Sequence, residues 1–137
     1  MFKHLLVPID LSDRNARLFG VALALARAAG ARVTLLHVVQ RIRSSSPGEF
    51  RSFYRRLEQK SGRKLDTAAR RFVAAGVSIR TVVVVGEPAR EIVRASFARN
   101  VDLVVMGSHK VRPGTRGWGT TSYRVGIMCQ CSILLVK

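Results

Sequence analysis

Short apolar runs and longer stretches with helical spacing alternate along the chain. Five runs rich in Val, Ile and Leu are typical of buried strands: residues 3–9, 32–39, 77–85, 101–106 and 133–136. Between them the apolar spacing predicts helices over 14–29, 49–75, a segment that begins at Pro88, and 120–128. The order β-α-β-α-β-α-β-α-β predicts a parallel α/β sheet with helices on both faces, because parallel neighbours need long right-handed crossovers.

Individual residues add detail to this prediction. Ser12 and Asp13 offer side-chain oxygens that can cap the first helix, and Gly30 is a typical helix stop. The four valines 82–85 indicate a strand buried on both faces. We expect His4 to be exposed. The predicted inner faces of the second and third helices consist of Phe50, Phe53, Leu57, Leu65, Ala68, Ala69, Phe72 and Val73, and of Ile92, Val93, Ser96 and Phe97.

The length of 137 residues fits a single domain over residues 1–137 that can bury its own core. The apolar runs are too short for a membrane span, and the first residues lack the apolar region of a signal peptide. The only cysteines, Cys129 and Cys131, exclude a disulfide framework and form a poor zinc set. We therefore expect a cytoplasmic protein with no membrane partner and no metal site.

The charge is strongly asymmetric, with 24 Lys and Arg against 8 Asp and Glu, which gives a net charge of +16. Ten of the basic residues lie between Arg41 and Arg71. Such a surface attracts polyanions, so nucleic acid and acidic proteins are candidate partners, although a solvated basic helix explains the same pattern. The segment shows no row of stacking aromatics.

In an open parallel sheet, ligands bind beyond the carboxyl ends of the strands, where the strand order reverses. Two polar segments follow predicted strands in this way: residues 8–12, which include Asp10, and residues 107–110. Gly119 and Thr120 then precede the last helix, whose amino end can hold an anion through backbone N–H groups. A flexible surface loop explains the glycines equally well.

Four segments together resemble the universal stress protein family: Leu5-Leu6-Val7-Pro8-Ile9-Asp10-Leu11-Ser12, Leu36-His37-Val38-Val39, Gly86-Glu87-Pro88 and Val101-Asp102-Leu103-Val104-Val105-Met106-Gly107-Ser108-His109. The similarity runs over nearly the whole chain. The resemblance implies a five-stranded, Rossmann-like sheet of order 3-2-1-4-5, of the adenine nucleotide alpha hydrolase-like type, and a homodimer. Many members bind ATP and others do not.

The resemblance also implies where a nucleotide binds. The implied residues are Pro8, Asp10, Val38, Met106, Gly107, Lys110, Gly119, Thr120 and Thr121. Nucleotide-binding members carry Gly-x2-Gly-x9-Gly-[Ser/Thr] after the fourth strand, whereas this chain reads Gly107-x2-Lys110-x8-Gly119-Thr120. Lys110 either strains the loop or adds a charge that pairs with phosphate, and the sequence leaves both readings open.

The sequence thus predicts an ATP-binding regulatory module that acts as a homodimer in stress response, with Mg²⁺ only where ATP is bound. The C-terminal strand is an apolar edge suited to pairing with a second copy. No catalytic residue is assigned, because no Ser-His-Asp or Cys-His arrangement is readable; slow ATP hydrolysis or self-phosphorylation is left open. The alternative is a nucleotide-free dimeric scaffold of the same fold whose basic surface binds an acidic protein or nucleic acid.

Overall fold

The computed structural model describes residues 1–12, 15–42, 48, 50–108 and 120–137. Strands and helices alternate in the predicted order, and each predicted element is present within two residues of its expected limits. The elements are β1 (His4–Pro8), α1 (Ala16–Ala29), β2 (Arg32–Gln40), α2 (Arg51–Ala74), β3 (Ile79–Gly86), α3 (Pro88–Ala98), β4 (Leu103–Gly107), α4 (Thr120–Met128) and β5 (Ser132–Val136). Among the helices in these ranges, none is both long and apolar enough to cross a membrane.

The strands form one parallel sheet of order β3-β2-β1-β4-β5, which confirms the predicted topology. All five residues of β1 are buried, since this strand has a neighbour on each side and a helical layer on each face. Successive side chains of a strand point to opposite faces. Leu5 and Val7 therefore join a core with α1 and α2, and Leu6 joins a second core with α3 and α4.

The buried face of α2 is shorter than the sequence indicates. Leu65 and Phe72 are buried, but Phe50, Phe53 and Val73 are 46%, 40% and 64% exposed. A helix of 24 residues is roughly 36 Å long, whereas the eight-residue strand β3 spans roughly 26 Å. The first turns of α2 therefore extend beyond the sheet, and Val73 lies on the outward side of the last turn.

Two further predictions of burial are wrong in part. The valines 82–85 are only half-buried, because β3 is an outer strand of the sheet with a single neighbour, β2. In α3, Ile92, Val93 and Ser96 are buried as predicted, but Phe97 is 52% exposed. Phe97 stands one residue, or about 100° of helix rotation, beyond the buried Ser96.

His4 contradicts the expectation that it is exposed, since only 5% of it is accessible. Its Nδ1 lies 2.9 Å from the carbonyl oxygen of Arg99, and its Nε2 lies 2.7 Å from the hydroxyl of Thr34. A carbonyl only accepts hydrogen bonds, so Nδ1 carries the hydrogen and the neutral ring accepts from Thr34 at Nε2. His4 thereby ties the end of α3 to the starts of β1 and β2.

Burial lowers the pKa of His4 below its ordinary value of 6.5, and the charges of Arg32 and Arg99 lower it further. The hydrogen bond to the Arg99 carbonyl and the nearby Asp102 carboxylate act in the opposite direction and are outweighed. The folded chain thus binds the proton more weakly than the unfolded chain does. The stabilising contribution of neutral His4 is complete above pH 6.5 and is lost as the pH falls through the folded-state pKa.

We expect the free energy of unfolding to fall as the pH is lowered from 7 towards 5, and this loss to be absent in His4→Asn. Asparagine does not titrate, and its amide can donate near the position of Nδ1. The measurement is urea unfolding followed by circular dichroism at a series of pH values. His37→Asn is the control and should retain the loss. The same pH dependence in the wild-type chain and in His4→Asn would contradict the assignment. The lowered pKa values of Asp102 and Glu87 affect the free energy of unfolding only at a more acidic pH.

Candidate functional site

The strand order reverses beside β1. The chain passes from β1 to β2 and β3 on one side, and then crosses to β4 and β5 on the other. The pairing with β2 runs along all of β1, from His4 to Pro8, whereas the pairing with β4 joins Leu5 to Leu103 and Leu6 to Val104. The carboxyl ends of β1 and β4 therefore flank a switch point, the place where open α/β sheets form a ligand crevice.

Three of the predicted site residues share one face of this edge. Pro8 and Met106 are buried and Val38 is half-buried, and they belong to the adjacent strands β1, β4 and β2. Alternation along each strand places them on the side of α3 and α4, where Met106 and Val38 join the second core. They make the carboxyl end of this face apolar.

Asp10 is exposed and organises the turn that follows β1. Its Oδ1 accepts from the backbone N–H of Ser12 at 3.1 Å and from the Ser12 hydroxyl. The amide of Asn15 donates to the carbonyl oxygens of Asp10 and Ser12 at 2.7 and 2.9 Å. Asn15, rather than Ser12, is the N-cap of α1, which corrects the predicted cap; Asp13 lies outside the described residues. The turn holds the Asp10 carboxylate at the tip of β1.

Gly107 ends β4 at the other side of the switch point and is exposed. No atom of the described residues lies within 4 Å of the position that a Cβ at Gly107 would take, so there is open space beside this backbone. The next residue continues the ladder, because the Ser108 N–H donates to the carbonyl oxygen of Val136 at 2.9 Å. The tip of β4 is thus fixed by β5, and no described residue fills the position beside Gly107.

The remaining predicted phosphate residues lie in the sequence between Gly107 and Thr121. Lys110 and Gly119 lie outside the described residues, as do His109 and Trp118. α4 begins at Thr120, and the side chain of Thr121 in its first turn is half-buried. This nine-residue helix is the next described element after β4. The first N–H groups of a helix have no partner within the helix, and together with the helix dipole they favour an anion.

A bidentate ion pair, which sequence reasoning missed, fixes α4 against α3. Arg124 donates from Nη1 to Glu87 Oε1 at 2.6 Å and from Nη2 to Oε2 at 3.1 Å. Glu87 also caps α3 by accepting from the backbone N–H groups of Ala89 and Arg90. Burial acts to raise the pKa of Glu87, but these hydrogen bonds outweigh it and lower the pKa. The sequence signals only that Glu87, placed before Pro88, caps a helix; it does not indicate that Arg124 pairs with Glu87.

The cysteine pair does not form part of this edge. The two sulfur atoms are 3.2 Å apart, and both side chains are half-buried beside the second core. Burial and the hydrogen bond shared with Cys129 raise the pKa of Cys131 to about 12, so its thiol stays protonated at neutral pH. Within the described ranges, no three His, Cys, Asp or Glu side chains form a group suited to a metal ion.

The basic helix predicted from the sequence is α2, and its charges face solvent. Eight exposed basic residues line it, and in the described part of the chain none of them forms an ion pair. They are Arg51, Arg55, Arg56, Lys60, Arg63, Lys64, Arg70 and Arg71. The sequence suggested no aromatic row here, but the first turn brings Phe50, Phe53 and Tyr54 into edge contact, with ring centroids 6.5 and 5.6 Å apart.

Proteins of known family are similar to this chain along its whole length. The model of the universal stress protein family matches residues 1–137. The chain is 32% identical to universal stress protein YxiE of Bacillus subtilis (strain 168), with all of both chains covered. It is 30% identical to the universal stress protein in the QAH/OAS sulfhydrylase 3' region of Thermus aquaticus, again with both chains covered in full.

Solved structures share the fold. Protein MJ0577, named as hypothetical, superimposes with a TM-score of 0.86 at 26% identity, over 100% of this chain and 96% of that chain. Two further structures have the same fold. One is a universal stress protein in complex with cAMP, with a TM-score of 0.74 at 22% identity over 99% of this chain and 98% of that chain. The other is a universal stress protein family protein from Arabidopsis thaliana with AMP bound, with a TM-score of 0.70 at 22% identity over 98% of this chain and 91% of that chain. With the family model and two curated relatives matching from end to end, this chain belongs to the universal stress protein family.

Proposed function

We propose that the chain is a regulatory module that binds an adenine nucleotide, with ATP as the ligand, at the switch point between β1 and β4. One observation carries the proposal: Asp10 at the tip of β1 and open space beside Gly107 at the tip of β4 flank the same reversal of strand order. The relatives that bind AMP and cAMP support adenine nucleotides as the ligand class. The triphosphate, and Mg²⁺ bound together with it, are our extension of that class.

Each predicted residue has a distinct role in this proposal. The Asp10 carboxylate accepts a hydrogen bond from the adenine amino group or a ribose hydroxyl, and the apolar face at the ends of β1, β2 and β4 packs against the base. Backbone N–H groups at the start of α4 bind the phosphates, helped by charge from the loop. The residues for the base are Pro8, Asp10, Val38 and Met106, and those for the phosphates are Gly107, Lys110, Gly119, Thr120 and Thr121.

We assign a binding role and no turnover to this site. The Asp10 carboxylate already accepts from Ser12 and belongs to a turn, which suits a fixed contact to a ligand better than a group that exchanges protons with water. The Glu87–Arg124 ion pair couples the position of α4 to α3. Phosphates held at the start of α4 would therefore bias the arrangement of these two helices, which is a route from nucleotide to partner choice.

We expect the wild-type chain to bind ATP in isothermal titration and Asp10→Ala to bind it about 10- to 100-fold more weakly, the loss of one hydrogen bond to a charged group. The matched control is Glu58→Ala, which removes an exposed carboxylate from α2. Both variants raise the net charge by one unit, so general attraction alone would strengthen ATP binding in both. The absence of heat with millimolar ATP, or equal affinity of the two variants, would contradict the site.

We propose further that the module is a homodimer paired through β5. β5 is an outer strand of the sheet, with exposed Leu134 and Leu135, and the adjoining α4 exposes Tyr123, Ile127 and Met128. These five belong to the exposed large hydrophobic side chains of the described residues. An unpaired strand edge with apolar neighbours is a template for a second copy, which would cover both the edge and α4.

A lysine at the edge should separate such a dimer. We expect Leu135→Lys to shift the mass measured by light scattering after gel filtration from dimer to monomer, because a buried charge opposes pairing. The control is Val73→Lys, an exposed apolar position on α2 that should leave the dimer intact. A monomeric wild-type chain, or an unchanged mass for Leu135→Lys, would rule out pairing through β5.

A second candidate function has its own observation: α2 presents basic residues without acidic partners in the described ranges, beside the exposed rings of Phe50 and Phe53. Basic grooves with stacking aromatics bind single-stranded nucleic acid without sequence readout. In this reading the fold is a scaffold whose α2 recruits a polyanion, with or without nucleotide.

For this candidate we expect a fluorescent single-stranded oligonucleotide to bind with an affinity that falls steeply with salt. Arg55→Gln/Arg56→Gln should lower the slope of log K against log salt by about 1.4, the loss of two phosphate contacts. The control Arg27→Gln/Arg90→Gln removes the same charge from α1 and α3 and should keep the slope. Fluorescence anisotropy at several salt concentrations measures it. No binding at low salt would exclude the nucleic-acid candidate.

A further inference from the structure

The amino edge of the sheet, opposite the switch point, contains a cavity of about 510 Å³. The starts of β1, β2 and β3 and the end of α3 surround it. Its lining is dominated by basic and polar side chains: His4, Arg32, Thr34, Ser78, Arg80, Arg99 and Asn100, with Val33, Ile79 and Ala98 as the apolar remainder.

The strand register explains why these side chains converge. His4 pairs with Arg32, and Thr34 pairs with Arg80, so the four residues lie side by side on three adjacent strands. Alternation from Leu6 and Leu36, which belong to the core under α3 and α4, places all four on that same face. On this face the sheet is otherwise apolar, yet all four residues are polar: His4 and Thr34 are buried, and Arg32 and Arg80 are exposed at the end of the sheet.

Among the residues that the structure describes, no ion pair neutralises the arginines that line this cavity. The ion pairs within the described residues are Glu91–Arg94 and Glu87–Arg124, and neither includes an arginine of the cavity. Asp102 is a carboxylate at this edge, and it accepts hydrogen bonds from the backbone N–H groups of Lys3 and His4 at 2.7 and 3.0 Å. Asp102 is thus committed to the start of β1, and no ion pair of the described residues involves Arg32, Arg80 or Arg99, which line the cavity.

The backbone carbonyls at the end of α3 would repel an anion in the cavity. A hydrogen bond from His4 and the conformation of Asn100 reduce this repulsion. The Arg99 carbonyl accepts a hydrogen bond from the ring Nδ1–H of His4 at 2.9 Å, and Asn100 takes a left-handed conformation (φ 53°) that turns the chain away after the helix. The buried His4 therefore holds the backbone of Arg99 in place at the rim of the cavity. Thr34 in turn fixes the ring of His4.

We propose that this cavity is a second binding site, specific for a small anion with more than one phosphate group, which Arg32, Arg80 and Arg99 bind through their guanidinium groups. Guanidinium forks match phosphate oxygens in a bidentate manner, and three unpaired positive charges favour a multiply charged ligand over a single carboxylate. The site is separated from the proposed nucleotide site by the length of the strands, so neither depends on the other.

The test is the titration of the full chain with inorganic pyrophosphate in 150 mM salt, by calorimetry and by ¹H–¹⁵N NMR of the histidine rings. His4 lies in the cavity, whereas His37 donates to the carbonyl of Ile9 near the opposite edge, so the two rings report on different sites. We expect pyrophosphate to bind one per chain and to shift the His4 resonances while those of His37 stay in place. His37→Asn and His109→Asn together identify which signals belong to which of the three histidine rings.

Arg32→Gln/Arg80→Gln should weaken pyrophosphate binding at least tenfold, and Arg63→Gln/Arg70→Gln, which removes the same charge from α2, should change it less than twofold. All four side chains are exposed, so both variants should fold. Equal weakening by the two pairs of substitutions, no heat of binding, or a response at His37 alone would overturn the proposal.

Citrate in place of pyrophosphate should bind at least tenfold more weakly; equal binding would overturn the preference for phosphate. Since Asp10→Ala leaves this site untouched, it should bind pyrophosphate as the wild-type chain does.

Discussion

The burial of β1 on both faces is the constraint on which the rest of this structure depends. Five consecutive buried residues need a strand on each side and a helical layer above and below. Only a chain that leaves β1 on one side and returns on the other supplies both neighbours, and that route creates the reversal of strand order next to Asp10. The same requirement that closes the two cores therefore places the switch point at the carboxyl edge.

The backbone groups of the helix ends give the two edges of the sheet opposite partial charges. In a parallel α/β fold the helices begin at the carboxyl edge and end at the amino edge, so N–H groups face one and carbonyls face the other. At the carboxyl edge the chain adds glycine and open space at the tip of β4. At the amino edge, where bare carbonyls would repel anions, it adds arginines and covers one helix end with buried His4.

An ion pair between α3 and α4 connects the carboxyl edge to the outer strand β5. Glu87 caps α3 and holds Arg124 of α4, so one carboxylate joins the helix that precedes β4 to the helix that follows it. α4 is next to β5, the outer strand of the sheet with exposed leucines. The start of α4, its ion pair with Glu87 and its exposed apolar side chains thus belong to one helix, and under the proposed function this helix would connect a bound phosphate to the association of two copies.

The sequence by itself determined the alternation of strands and helices, because apolar runs of strand length and helical spacing differ in period, and the local signals at Gly30 and Pro88 limited the helices. The resemblance supplied the strand order and the candidate residues at the carboxyl edge, although Lys110 and Gly119 lie outside the described residues.

Tertiary structure alone decided which faces of the strands and helices are covered. The valines of β3 are half-buried because their strand lies at the edge, and Phe53 is exposed because α2 is longer than the sheet beneath it. It also buried His4, whose partners Thr34 and Arg99 are 30 and 95 residues away, and it gathered Arg32, Arg80 and Arg99 around one cavity. Contacts at such separations depend on the register of neighbouring strands, which no local pattern of residues encodes.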